Sequence, residues 1–257
     1  MNKFALHKYF WLLPWLIPLS MNAESKPAVL KSGPEKTALL ELYTSEGCSS
    51  CPPAEKWLSS LKDSTRLWKD FVPVAFHVDY WNRLGWRDPW SDKIFSDRQI
   101  SYAESWHSEN VYTPAFVLDG AEWSDWGVFR GGPRPGASKV GVLTATSSDP
   151  NNWQVVFEPV NTNGVSYQIH AALLESGVSS DVKAGENRGR KLLHDFAVAQ
   201  FANVPMRQAD GKWQAQFVFS TPPNRTITNT AVAIWVTDRD NLHSLQAVGG
   251  WIHQPGK

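Results

Sequence analysis

The chain of 257 residues holds two cysteines, and they stand three apart as Cys48-Ser49-Ser50-Cys51, between Glu46-Gly47 and Pro52-Pro53. Three chemistries use such a pair. As a structural staple it closes a loop of a few residues, worth only about 2 kcal/mol by loop entropy and less than a long-range bridge would give. As a metal site it supplies two of the four ligands zinc takes. No second Cys-x-x-Cys and no His-x-x-x-His completes that set, although a dithiolate alone also suits Cu(I). As a redox couple the spacing fits well, because one helical turn brings residues i and i+3 within disulfide reach. At a helix N-terminus, unpaired N–H groups and the helix dipole favour thiolate over thiol. Cys48, at the helix tip, is then the attacking sulfur and Cys51 the resolving one, with exchange running through a mixed disulfide.

The elements that would position this pair are legible on both sides of it. Residues 38–44, Ala-Leu-Leu-Glu-Leu-Tyr-Thr, predict a short buried strand, and Ser45-Glu46-Gly47 a turn. From Ala54 the apolar residues Ala54, Trp57, Leu58 and Leu61 recur at helical spacing, with Glu55, Lys56 and Lys62 off the stripe. Residues 72–78 predict a second strand, giving a βαβ unit with a right-handed crossover. Asp88-Pro89 predicts a helix start, and Ile94, Phe95, Tyr102, Ala103 and Trp106 share one side of a helix reaching about Trp106. Residues 114–120 return as a third strand.

Past the Gly/Pro-rich stretch at 131–136 the texture changes. Residues 140–146, 153–160, 165–175, 192–201, 213–220 and 231–237 are strand candidates between Asn, Gly, Pro and Asp turns. Alternation is clearest at Trp213, Ala215, Phe217 and Phe219. The fold class expected is therefore an α/β domain at residues 24–135 with a Trp-rich helical insertion, followed by an all-β antiparallel sandwich at 136–257. Residues 24–36 look like a polar lead-in.

Ahead of these, Lys3 and Lys8 precede an apolar run at 9–19, and polar residues resume past Ala23. That is the pattern of a cleaved secretory signal peptide at residues 1–23, and it predicts a periplasmic or secreted protein. The run is short and carries Pro14 and Pro18, and no cysteine is there to take a lipid. An oxidising compartment lets a disulfide persist. Twenty-five basic residues balance twenty-five acidic ones, so nothing steers the chain to nucleic acid or an anionic membrane. Protein or small-molecule thiols and disulfides remain as partners, and no cofactor or resident metal is expected.

The order strand, Cys-x-x-Cys, helix, strand, helix, Thr-Pro, strand resembles the core of the thioredoxin fold. More closely, residues 41–54, 77–86 and Tyr112-Thr113-Pro114 are similar to secreted bacterial proteins grouped as domain of unknown function family 1223. The likeness is strong over residues 38–120 and looser beyond, through Gly185-Glu186-Asn187-Arg188-Gly189-Arg190. The thioredoxin resemblance implies that Thr113-Pro114 is a cis-proline bend beside the sulfurs, with Thr113 pairing an extended substrate segment. It also implies a buried acid near the pair that relays protons to the resolving cysteine. Glu41 is the candidate, one residue off the commonest spacing. The stretch from Asp79 to His107 is longer than the usual thioredoxin connection, so its tryptophans would overhang or flank the cysteines.

Other residues read more plainly. Glu46 is expected as a solvated turn residue, His77 and Asp79 as structural hydrogen bonders, and His194-Asp195 as an isolated pair with no serine nucleophile to serve. Pro52 and Pro53 predict a delayed first helical turn. The expected function is thiol–disulfide exchange through Cys48 and Cys51, the β half serving as a partner-binding or dimerising module. Its rival is a non-catalytic envelope binding or scaffold protein with a closed structural disulfide, and a metal-binding dithiol is third. Burial of Cys48 beneath Trp81 or Trp86 would favour the rival, and an open groove beside Thr113-Pro114 would favour exchange.

Overall fold

A computed structural model describes residues 28–128, 131–134, 136–149, 151–161, 165–220 and 229–253. The expected leader at 1–23 lies outside the described residues. The first part of the chain gives β1 (Ala28–Lys31), β2 (Ala38–Thr44), α1 (Cys51–Ser60), β3 (Phe71–His77), α2 (Lys93–Ser105), β4 (Ala115–Leu118) and β5 (Ala121–Glu122). The rest is strand: β6 (Gly141–Asp149), β7 (Asn152–Pro159), β8 (Tyr167–Glu175), β9 (Val178–Asp181), β10 (Lys191–His194), β11 (Ala197–Pro205), β12 (Arg207–Ala209), β13 (Lys212–Val218), β14 (Thr230–Asp238) and β15 (Ser244–His253). The protein is mostly β, with mixed and antiparallel sheets. No described helix is long and apolar enough to cross a membrane.

The central sheet has eight strands in the order β15-β14-β8-β11-β3-β2-β4-β5. Strands β2 and β3 are buried at every position, as near-continuous apolar runs in parallel pairing require. Pro73 stands inside β3 opposite Leu40 and is tolerated for a local reason. The N–H of Ala75 points to the β11 side, where it donates to Phe196, and by strand alternation position 73 faces the same side. Strand β11 meets β3 only at Ala197–Ala75, so no ladder bond is forfeited at Pro73.

Strands from both sides of residue 135 share this sheet, since β11 runs parallel to β3 and carries β8, β14 and β15 outward from it. A second, five-stranded antiparallel sheet, β1-β6-β7-β13-β12, packs on the outer strands as a sandwich. Leu143, Trp153, Phe157 and Phe217 from it form one core with Ile169, Ile234, Val236 and Val248. Residues 28–31, read as polar lead-in, form β1 and pair with β6. Strands β9 and β10 make a separate hairpin.

Helix α1 starts at Cys51 with both prolines in its first turn, not after a delay. First-turn N–H groups have no intrahelical partner, so proline loses nothing there. Helix α2 starts later than the Asp88-Pro89 signal predicts. Its cap is Asp92, which accepts from the Ile94 N–H at 3.0 Å, because Asp88 is buried and otherwise engaged.

Candidate functional site

Strand β2 ends at Thr44 and the chain turns through Ser45–Gly47 into the disulfide Cys48–Cys51, whose Cα atoms are 5.5 Å apart. Backbone bonds hold the turn, Cys48 N–H to Ser45 O at 3.1 Å and Cys51 N–H to Cys48 O at 3.3 Å. Facing it is the Thr113–Pro114 peptide bond, which is cis. The Cys48 sulfur is 3.7 Å from the Thr113 carbonyl oxygen and 3.3 Å from the Ser50 hydroxyl. Gln99 fixes the bend by donating to Tyr112 O at 2.6 Å, and Trp81 by donating from Nε1 to Thr113 Oγ1 at 2.8 Å. The structure thus brings Cys48, Cys51, Thr113 and Pro114 together.

Both cysteines have no accessible surface, while Ser49 and Ser50 are exposed. Two segments enclose the turn. Trp81 packs so close that a Cβ on Gly47 would stand 2.9 Å from the Trp81 Cβ. On another side comes the loop between β9 and β10. There Glu186 accepts from the Ser49 N–H at 2.9 Å and hydroxyl at 2.7 Å, and buried Asn187 donates to the carbonyls of Glu46 at 2.9 Å and Cys48 at 2.8 Å. The bonds from Ser49 hold the Glu186 carboxyl below its usual range. Gly185 is in the left-handed region at φ +77° and lies 3.6 Å from the Gly47 Cα when a Cβ is placed on it.

A buried polar cluster lies next to this turn. Glu46, expected in solvent, is fully buried: it takes bonds from Trp86 Nε1 at 2.6 Å, from Ser180 and from His194 Nε2 at 2.9 Å. The other nitrogen of His194 is 2.5 Å from Glu55, which also accepts from Thr44 Oγ1 at 2.5 Å. His77 Nδ1 is 2.7 Å from Asp88, and Asp88 accepts from the N–H groups of Glu46 at 2.9 Å and Trp90 at 3.0 Å. Burial opposes a charge on His194, but hydrogen bonds and charge from Glu46 and Glu55 outweigh it and push its pKa up to about 10. Burial raises the Glu55 carboxyl, and the bond and charge of His194 reverse that to a net lowering. Asp88 is likewise lowered, burial being overcome by His77.

Glu41 is elsewhere. It is fully buried, but its carboxylate is taken by Arg98 at 2.8 and 3.0 Å, Tyr102 at 2.5 Å and Tyr43 at 2.9 Å. Alternation explains this: Thr44 reaches Glu55 on α1, so Leu42 and Leu40 share that face, while Glu41 and Tyr43 point to α2 on the other. The one-residue offset noted in the sequence moves the acid through the sheet, and its bonds form an ion-pair network rather than a path to Cys51. Asp79, at the start of the aromatic segment, accepts from Ser96 Oγ on α2 at 2.5 Å, and His107 and Glu109 are exposed. The tryptophans pack and donate to internal acceptors, Trp90 to Glu175 at 2.9 Å and Trp106 to Gly120 O at 3.0 Å. Trp57, Trp123 and Trp126 cluster on Phe116.

Sequence reasoning missed His194, Glu46 and Glu55 as partners. One signal was present for Glu55: it stands four residues after Cys51 and so lies on the same side of the helix. None pointed to His194, which reaches the cluster only through the β9–β10 hairpin.

A mostly β protein with a capped disulfide at a helix start, facing a cis-proline bend, is the class that the fold and site define. A model of the family described as Protein of unknown function (DUF1223) matches residues 39–237, and the chain belongs to that family. Protein AGR_C_4864 from Agrobacterium tumefaciens has a similar solved structure, with a TM-score of 0.60 at 20% identity, covering 87% of this chain and 97% of that one. HBP35 of Porphyromonas gingivalis is similar with a TM-score of 0.56 at 12% identity, over 87% of this chain and 78% of that one. At these identities the likeness is one of fold. No curated protein matches the chain.

Proposed function

We propose that the protein is an exported thioredoxin-like thiol–disulfide oxidoreductase acting through Cys48 and Cys51 on protein or small-molecule thiols. The observation that carries this reading is the disulfide at the start of α1 facing the cis Thr113–Pro114 bond, with the Cys48 sulfur 3.7 Å from the Thr113 carbonyl oxygen. The order β2, Cys-x-x-Cys, α1, β3, α2, Thr-Pro, β4 supports a thioredoxin-like core, with residues 79–107 as the Trp-rich insertion. In the exchange a substrate thiolate attacks the Cys48 sulfur and the Cys48–Cys51 bond breaks, Cys51 leaving as thiolate. A second substrate thiolate then attacks the mixed disulfide, releasing Cys48 reduced and the substrate oxidised, and the reverse sequence reduces a substrate disulfide. Because both cysteines are buried, the loop that carries Glu186 and Asn187 must lift before attack. Export rests on residues 1–23, and N-terminal sequencing of the mature protein from an envelope fraction tests it.

The second reading is a non-catalytic envelope binding protein with a closed structural disulfide, and it is favoured by that same burial and by Trp81 over Gly47. One experiment separates the two. Cys51→Ser should trap mixed disulfides in the native envelope, with Cys48→Ser as the control that traps none, while the wild-type pair titrates near the potential of the compartment's thiol pool. A potential far below that pool with no trapped partner would leave the closed disulfide standing.

A further inference from the structure

Beside the disulfide, one donor atom each of Glu55, His77 and His194 lie within 4.8 Å of one another, all three residues being buried. The cysteines are not in this group, so it is separate from any dithiol site. Nε2 of His77 is buried and has no hydrogen-bond partner, although Nδ1 of the same ring is held by Asp88 at 2.7 Å. A buried acceptor left in that state is unfavourable, and an electrophile at the lone pair would satisfy it. His194 differs in that both its nitrogens meet carboxylates, Nε2 the outer Glu46 at 2.9 Å and Nδ1 Glu55 of the group itself at 2.5 Å. Each imidazole still has one nitrogen oriented by an outer carboxylate and one turned inward, the pattern by which outer carboxylates position histidines on a metal. Three carboxylates, Glu46, Glu55 and Asp88, surround two imidazoles, with the Trp90 ring packed 5.9 Å from His77 and 5.1 Å from His194.

We propose that Glu55, His77 and His194 form a binding site for one divalent transition-metal ion of the zinc class, with Asp88 and Glu46 holding the two imidazoles from behind. Two imidazole nitrogens and one carboxylate oxygen suit Zn²⁺, whereas Mg²⁺ and Ca²⁺ take oxygen ligands and Cu(I) prefers sulfur. Zinc bonds of about 2.0–2.2 Å put tetrahedral ligand atoms about 3.4 Å apart, so rotation of these side chains closes the remaining gap. The ion takes the place of the proton between His194 Nδ1 and Glu55. A recess of about 320 Å³ between α1 and β10, with Pro52, Glu55, Ser59, Lys191 and Leu193 among its walls, leads to Glu55 from outside. The ion ties together α1, the end of β3 and the hairpin whose loop covers the cysteines.

Chelator-treated full-length protein, kept oxidised, is titrated with Co²⁺ and followed by its d–d absorption, then back-titrated with Zn²⁺. One Co²⁺ per chain displaced by Zn²⁺ is expected, with His77→Gln and Glu55→Gln weakening binding at least tenfold. Asp88→Asn, which only orients His77, should weaken it roughly 10–100-fold. Surface variants His107→Gln and His243→Gln, and the Cys48→Ser/Cys51→Ser double variant, should bind as wild type. Circular dichroism identifies which variants are folded; should His77→Gln unfold, Glu55→Gln and Asp88→Asn decide. Wild type without a stoichiometric Co²⁺ signal, folded Glu55→Gln or Asp88→Asn binding unchanged, or binding lost with the cysteines would overturn the site. These outcomes do not depend on whether Cys48 exchanges thiols.

Discussion

His194 and His170 are both buried to within a few percent of zero exposure, and their environments drive them in opposite directions. His194 has a carboxylate at each ring nitrogen, and its pKa is pushed up to about 10. His170, in β8, lies between Phe201 and Trp235 with stacked ring centroids 6.2 and 5.3 Å away, and its nitrogens meet the neutral groups of Asn203 at 2.5 Å and Thr237 at 3.1 Å. Burial, with the charge of Arg98 added, pushes its pKa down to about 3. Burial alone predicts the direction at His170 and the wrong direction at His194. What decides is the sign of the charge beside each ring, anionic Glu46 and Glu55 at His194 and cationic Arg98 at His170, so the interior next to the disulfide favours a charged imidazole and the α2 face of the β8–β14 strands a neutral one.

The largest expected effect tests the charged side. Glu46→Ala removes an acceptor from Trp86, Ser180 and His194 at once, and breaking a buried pair costs about 3–5 kcal/mol, read as a lower urea midpoint. Asn203→Ala, the counterpart at His170, should cost only about 1–3 kcal/mol, and equal losses would erase the distinction. Next comes pH. The unfolded chain protonates His170 at an ordinary value near 6.5, while the folded protein keeps it neutral to about pH 3, so stability falls as pH drops through this window. Between pH 6.5 and 4.5 this histidine alone accounts for a loss of about 2 kcal/mol, and His170→Gln should flatten that slope. The contribution of His194 is complete throughout that range, because its raised pKa places its loss between pH 6.5 and about 10.

Smaller effects fall on the cap. Asn187→Ala strands two buried carbonyls and should cost about 1–3 kcal/mol, with faster reduction of the disulfide by dithiothreitol. Glu186→Ala removes only exposed bonds to Ser49, so the urea midpoint should stay near that of the wild type, and a clear drop would mean that the cap carries load beyond its surface contacts.

The local parts of this site were readable in the sequence, and the assembled parts were not. Cys48 and Cys51, the strand before them, the helix after them and the Thr113-Pro114 bend all follow from spacing and resemblance, because each depends on neighbours within a few residues or one βαβ unit. Glu41 shows how parity defeats a near match: a single position along a strand changes the face. In the sequence Glu46 reads as a solvated turn residue, as charge in a turn usually is, and Glu55 only as lying off the apolar stripe of its helix. Their burial depends on His194, Ser180 and Asn187, which come from more than a hundred residues further along. The β half was legible as strands, yet its attachment was not, since nothing in β11 announces a parallel neighbour 120 residues earlier.

That attachment bears on the order in which the chain acquires its shape. A nascent chain that ends near residue 135 has β3 as an open sheet edge, carrying one unpaired flank of an apolar strand until residue 197 and beyond arrive. The loop over the cysteines belongs to the same late portion. Assembly is thus governed by contacts distant in sequence, which are slow to form, and during that interval the cysteine turn has Trp81 against it but lacks the cover of Glu186 and Asn187. Whatever oxidises Cys48 and Cys51 has its freest access before the second half has docked.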